Sequence, residues 1–171
     1  MSTVHANVVR PRAAAPDPHA SLKLWLRLLT CSSLIERHVR GRLREEFGIT
    51  LPRFDVLAQL EAAAQDDVGG LTMSELSRRL MVTNGNLTGL VERLVREGLV
   101  RRAALATDRR AQLVRLTPAG RRALHAMTPR HEQWIEDMLS ALPPEDRAQL
   151  HVLLGRLRAS IQHTPSEEHP S

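Results

Sequence analysis

A mainly α-helical chain with one small β-hairpin is predicted by three observations. Apolar residues recur at three- and four-residue spacing through most of the 171 residues, as in helices with one buried stripe. Only two short runs, Leu99–Ala103 and Gln112–Leu116, read as extended, with Ala104–Ala111 joining them as a hairpin tip. Helix boundaries carry capping chemistry, most clearly in Thr72-Met73-Ser74-Glu75 and at Gly98. Apolar residues form 42% of the chain but aromatics only 2%, so aliphatic contacts between helices, chiefly through Leu, must fill the core.

In chain order, residues 1–19 mix Ala, Pro and Arg without periodicity and are expected to form a flexible arm. A helix follows from about Ser21 to Glu46. Its first half is apolar nearly all round (Leu22, Leu24, Trp25, Leu26, Leu28, Leu29), and its second half narrows to Ile35, Val39 and Leu43. Such a helix needs cover, either from a second subunit or from its own chain. A chain this short has few elements to wrap it, which favours the second subunit. Thr50 is placed to cap a second helix with Phe54, Leu57 and Leu60 as its stripe, and Ala64 to Gly70 reads as a loop. Thr72 and Glu75 form a capping box for a helix over 73–80, with Leu71 and Leu76 as its hydrophobic staple. Met81-Val82-Thr83 breaks that helix. A further one runs from Asn84 to Glu97 and stops at Gly98 with Leu99 as apolar partner. After the hairpin, Thr117-Pro118 opens a helix to about Ala141, and Pro143-Pro144-Glu145 opens the last, striped by Leu150, Leu153, Leu154, Leu157 and Ile161. Residues 164–171 are expected to fray. Short helix, tight turn, second helix and two-stranded hairpin is the winged helix-turn-helix order. The predicted organisation is an arm over 1–19, a dimerisation helix over 20–47, a winged lobe over 48–117, C-terminal dimerisation helices over 118–163 and a tail over 164–171.

Residues 71–117 hold nine arginines and four carboxylates, a surplus equal to the net +5 of the whole chain. A basic excess on a neutral chassis marks either a polyanion-binding surface or a solvated Arg-rich face. The lone Cys31 excludes an intrachain disulfide and suits a reducing, cytoplasmic setting. No apolar run approaches the ~20 residues of a membrane span, and no signal pattern opens the chain.

At 100° per residue, Leu87, Leu90, Val91, Leu94 and Val95 fall on one side of the 84–97 helix. Opposite stand Gly85, Gly89 and Arg96, flanked by Asn86, Thr88, Glu92 and Arg93. Glycine inside a helix costs about 1 kcal/mol relative to Ala, so two of them invite a reason, namely close approach to a groove edge. A poorly optimised surface helix is the bland alternative. Asn86 suits adenine and Thr88 a base edge or thymine methyl. Arg93 and Arg96 suit phosphate or guanine, and Thr83 and Asn84 sit at the contacting end. Arg78 and Arg79 are candidates for phosphate. In the hairpin tip, Arg109 and Arg110 suit the narrow minor groove, with Asp108 pinning an arginine, unless the tip is an ordinary polar turn.

These residues carry a resemblance. Leu71-Thr72-Met73-Ser74-Glu75-Leu76-Ser77-Arg78-Arg79-Leu80, Leu90-Val91-Glu92-Arg93-Leu94, Glu97-Gly98-Leu99-Val100, Asp108-Arg109-Arg110-Ala111 and Val114-Arg115-Leu116-Thr117-Pro118-Ala119-Gly120 are similar to the MarR family of bacterial regulators, over roughly residues 20–162. The resemblance implies a homodimer with interlocking terminal helices and two winged lobes on a pseudo-palindromic duplex operator. It implies that Arg110 enters the minor groove with Asp108 as its partner, and that the protein is a repressor released by a small ligand. Trp25-Leu26-Arg27-Leu28-Leu29, Arg53-Phe54-Asp55 and Met81-Val82-Thr83-Asn84-Gly85-Asn86 look similar to regulators of aromatic-acid catabolism, some responsive to aromatic acyl-CoA thioesters.

The family's effector cleft lies between dimer helices and lobe. This points to Trp25, Leu29, Cys31, Ile35, His38, Phe54, Leu57 and Trp134 as lining, although residues at helical spacing are more often core. An anionic effector would want arginine from among Arg27, Arg37, Arg40 and Arg53. Cys31, in an apolar helix of a chain without Tyr, is expected to be buried and inert. His125 and His131 are six apart and share a helix face poorly, so no metal site is expected. No cofactor is expected. His131-Glu132-Gln133-Trp134-Ile135 lacks the second His of a zinc-protease helix, and phosphate-loop and nucleophile-elbow motifs are absent, so the chain is not read as an enzyme. The alternative function is a winged helix that docks acidic proteins. A membrane-surface role lacks an amphipathic insertion face.

Overall fold

The computed structural model describes residues 17–64, 69–104 and 112–163. The expected arm (through residue 16), the centre of the 64–70 loop, the hairpin tip at 105–111 and the tail at 164–171 lie outside them. The chain divides into two compact units, up to Glu36 and from Arg37 onward.

In the first unit, Asp17 organises the start of α1 (Ala20–Phe47). Its carboxylate accepts from the His19 N–H at 2.9 Å and from Lys23 Nζ at 2.7 Å. These bonds, led by the one to Lys23, hold Asp17 below the usual carboxylate range. Residues 17–19, assigned to the arm from sequence, are therefore the lead-in to the helix. Leu22, Leu24, Trp25, Leu26, Leu29 and Leu34 are exposed on this segment.

In the second unit, the end of α1 buries Val39 and Leu43. α2 (Leu51–Ala63) begins at Thr50 as expected, although the Thr50 side chain makes no capping bond. α3 (Met73–Leu80) and α4 (Asn84–Arg96) form the helix-turn-helix. A three-stranded antiparallel sheet has the order β1–β3–β2, from β1 (Leu71–Thr72), β2 (Val100–Ala104) and β3 (Gln112–Leu116). Sequence predicted only the last two. Leu71 and Thr72 pair with Val114 and Leu113, giving the hairpin a third partner just before α3. α5 (Pro118–Leu139) and α6 (Pro144–His163) complete the chain.

The core is aliphatic, as the composition requires. Leu57 and Leu60 of α2, Leu76 of α3, and Leu87, Val91 and Leu94 of α4 have essentially no solvent exposure, nor do Leu113 and Val114 of β3. Each such side chain contributes roughly 1.5–3 kcal/mol of transfer free energy. The expected stripe of α6 differs, because none of that helix is buried within the single chain.

Candidate nucleic-acid interface

The interface is built on two fastened corners. At the first, Thr72 Oγ1 accepts from the Glu75 N–H at 3.2 Å, while the Glu75 carboxylate takes the Thr72 N–H at 2.7 Å and its hydroxyl at 2.8 Å. The backbone bond from Thr72, then the hydroxyl, holds the Glu75 carboxyl below its ordinary range. α3 ends with Met81 in the left-handed region (φ 54°), with the Met81 N–H bonded to the Arg78 carbonyl. The Val82 N–H reaches the Ser77 carbonyl at 3.1 Å, and Ser77 Oγ donates back to the Val82 carbonyl at 2.5 Å. Ser77 thereby ties the turn that sets where α4 begins.

At the second corner, α4 stops by the glycine rule. Gly98 takes φ 70°, its N–H bonds the Val95 carbonyl at 2.9 Å, and the Leu99 N–H bonds the Leu94 carbonyl at 3.0 Å. Thr117 then pins the sheet to α5. Its hydroxyl lies 2.6 Å from the Gly98 carbonyl and accepts from the Gly120 N–H at 3.0 Å. Gly120 is required there, since a Cβ would sit 1.9 Å from the Leu99 oxygen.

Between these corners α4 buries Leu87, Val91 and Leu94 and turns the opposite side to solvent. Every candidate contact among the described residues is exposed: Arg78 and Arg79 at the end of α3, Thr83 just before α4, and Asn84, Asn86, Thr88, Arg93 and Arg96 on α4. Asn86, Gly89, Arg93 and Arg96 share one stripe, by their spacing of three and four residues. Nothing lies within 4 Å of a Cβ built at Gly85 or Gly89, so no internal packing demands glycine at either position. The hydroxyl of Thr88 donates to the Asn84 carbonyl at 2.9 Å, which leaves its methyl as the outward group. α4 also differs from α3 and α5 at its start. Thr72 and Thr117 cap their helices, whereas the Thr83 side chain makes no capping bond. First-turn N–H groups without a side-chain acceptor suit an anion.

Asp108, Arg109 and Arg110 lie outside the described residues. The stem of the hairpin adds Arg101 and Arg102, both exposed on β2 and neighbours on opposite faces of the strand. They were counted in the basic surplus but not singled out as contacts, because their exposure depends on the pairing of β2 with β3.

The effector candidates behave differently. Trp25 and Leu29 are exposed and Ile35 half-buried on the first unit, and Cys31 is exposed there, not buried as expected. The reason is that this stretch of α1 buries no residue within the single chain. In the second unit, three of the chain's four aromatic side chains gather around one histidine. Phe54 lies 4.8 Å from His131, Trp134 lies 6.4 Å from His131, and Phe47 lies 6.2 Å from Trp134. Burial pushes His131 below the usual histidine range, against the opposing charge of Glu132. Trp134 is buried, and its indole N–H has no partner among the described residues. Leu57 is fully buried core. Arg53 is paired with Glu97 at the end of α4, so its charge is used inside the lobe. His38 and Arg40 are exposed. His125 bonds Glu61 at 2.9 Å, and Arg121 bonds the same carboxylate at 3.0 Å. Burial raises the Glu61 pKa, but these two partners outweigh it and bring the group below its ordinary value.

Residues 47–111 match the model of the MarR family. The regulator PecS of Dickeya dadantii is 27% identical over 150 residues, covering 88% of this chain and 89% of PecS. The transcriptional activatory protein BadR of Rhodopseudomonas palustris is 34% identical over 115 residues, covering 67% of this chain and 63% of BadR. Among solved structures, the MarR family regulator Sco3205 of Streptomyces coelicolor, crystallised with DNA, superposes with a TM-score of 0.74 at 23% identity, covering 92% of this chain and 97% of that one.

Proposed function

The chain belongs to the MarR family of transcriptional regulators, and from that premise we propose how its own residues read an operator. It is a DNA-binding regulator and not an enzyme. Two copies present two lobes to a pseudo-palindromic duplex whose half-sites lie about one helical turn, roughly 34 Å, apart. In each lobe the exposed stripe of α4 enters the major groove. Asn86 and Thr88 meet base edges, Arg93 and Arg96 meet phosphate or guanine, and Arg78, Arg79, Thr83 and Asn84 hold the adjoining backbone. Arg110, positioned by Asp108 and preceded by Arg109 in the same tip, takes the minor groove. The observation that carries this reading is one exposed face of α4 bearing amide and guanidinium groups, beside an uncapped helix start, opposite an apolar stripe in which Leu87, Val91 and Leu94 are fully buried while Leu90 is half-buried and Val95 lies at its exposed edge.

Asn86→Ala should relax base preference in a selection from random duplexes without unfolding the lobe. Arg110→Ala should weaken a gel shift several-fold while the dimer persists. Undiminished affinity in Arg110→Ala refutes the wing role. A surface that docks acidic proteins instead would bind random duplex weakly and show no steep, phosphate-driven loss of affinity with salt.

Regulation is read as repression released by a small ligand, with an aromatic acid or its CoA thioester as the class tested first. The gathering of Phe47, Phe54, His131 and Trp134 supports an aromatic effector, because rings stack and the Trp134 N–H is a donor in want of an acceptor. His38 and Arg40 are the further lining candidates in the same unit. Arg53 would join only by leaving Glu97. A rise in melting temperature with such compounds, together with loss of the gel shift, supports the reading. No shift with any of them removes it.

A further inference from the structure

Met81 stands out in the second unit. It is the only non-glycine residue with positive φ among the described residues. It is also 93% exposed, more than any other large hydrophobic side chain described. Both features are unfavourable for folding. Glycine adopts this conformation freely, whereas a Cβ there crowds the following carbonyl. An exposed thioether gains nothing from burial in its own core. Two disfavoured features at one position suggest a task outside the fold.

Its setting indicates the task. Met81 follows Arg78 and Arg79, both exposed, and precedes Thr83, Asn84 and Asn86 at the open start of α4. Val82 beside it is also exposed. The turn is tied by Ser77 on the other side, so the conformation does not depend on the Met81 side chain. An unbranched, polarisable chain is thus presented beside the groove-reading end of the helix. Duplex DNA offers one strongly apolar group at a major-groove base edge, the thymine C5-methyl.

We propose that Met81 is a DNA-contacting residue whose thioether packs on a thymine methyl beside the bases read by α4. This rests on the docking of α4 set out above. It adds an apolar, thymine-selecting contact to a surface made chiefly of cations and amides, where the Thr88 methyl, on α4, is another apolar group facing outward.

The test uses the full-length chain and a duplex of about three helical turns that the wild type selects from a random pool. Met81→Gly relieves the backbone and removes the side chain. It should melt at the same or a higher temperature, remain dimeric and keep its salt dependence, yet bind that duplex several-fold more weakly. Met81→Leu, equally apolar, should bind as the wild type does. Replacing thymines one at a time with uracil should weaken the wild type at one position in each half-site and leave Met81→Gly indifferent there. A Met81→Gly protein that binds as tightly as the wild type, or that suffers equally from every uracil, overturns the proposal. A wild type that selects no duplex at all overturns the docking of α4, and this contact with it.

Discussion

α4 and α6 carry apolar stripes of the same helical spacing and meet opposite fates. Leu87, Val91 and Leu94 of α4 are wholly buried against α2, α3 and β2 of their own chain. Leu150, Leu153, Leu154, Leu157 and Ile161 of α6 are all exposed, Ile161 by 63%. A stripe therefore shows that a face needs cover, and it does not show who supplies the cover. For α4 the chain supplies it, which leaves the opposite face open to solvent for the proposed contact with DNA. For α6, and for the first part of α1 considered by itself, the proposed homodimer supplies it.

Substitutions can break or sharpen this contrast. Leu94→Ala should lose about 2–5 kcal/mol of stability whatever the protein concentration, by denaturant unfolding. Leu153→Ala should instead weaken self-association in sedimentation and make melting more dependent on concentration. Equal loss in both, at every concentration, would erase the distinction. Gly120→Ala should cost about 1–3 kcal/mol, because its Cβ collides with the backbone at Leu99 where the sheet joins α5. Thr72→Ala should cost about 1 kcal/mol through loss of the α3 capping box, read as a lower melting temperature.

The smallest effect concerns pH. Burial holds His131 below its unfolded value, so its contribution to stability is complete above that value, about pH 6.5. The contribution falls away as acidification proceeds through the depressed folded value. Stability should decline on going from about pH 7 to about pH 5. His131→Phe should flatten that part of the profile, and an unchanged profile in this variant would assign the decline to other groups.

Local chemistry was legible in the sequence and distant pairing was not. The Thr72–Glu75 box, Gly98 as helix stop and Thr117-Pro118 as helix start act over a few residues, and each lies where its spacing placed it. The exposed stripe of α4 followed from period alone. β1 was missed because two residues carry no period, and their pairing to Val114 and Leu113 spans some forty positions. Met81 was missed because left-handed backbone is signalled by glycine or asparagine, and here neither is present. Arg53 was assigned to a ligand because its partner, Glu97, lies on another helix. Cys31 was placed in an interior that the single chain does not provide.

The central claim is that the α3–α4 face meets the phosphates of a duplex. Its most direct test is the slope of log Kd against log salt for random-sequence DNA, in the wild type and in Arg78→Ala/Arg79→Ala. A steep wild-type slope that falls by about 0.9 for each phosphate contact removed is the predicted result. A shallow slope, or one the double substitution leaves unchanged, would contradict the account.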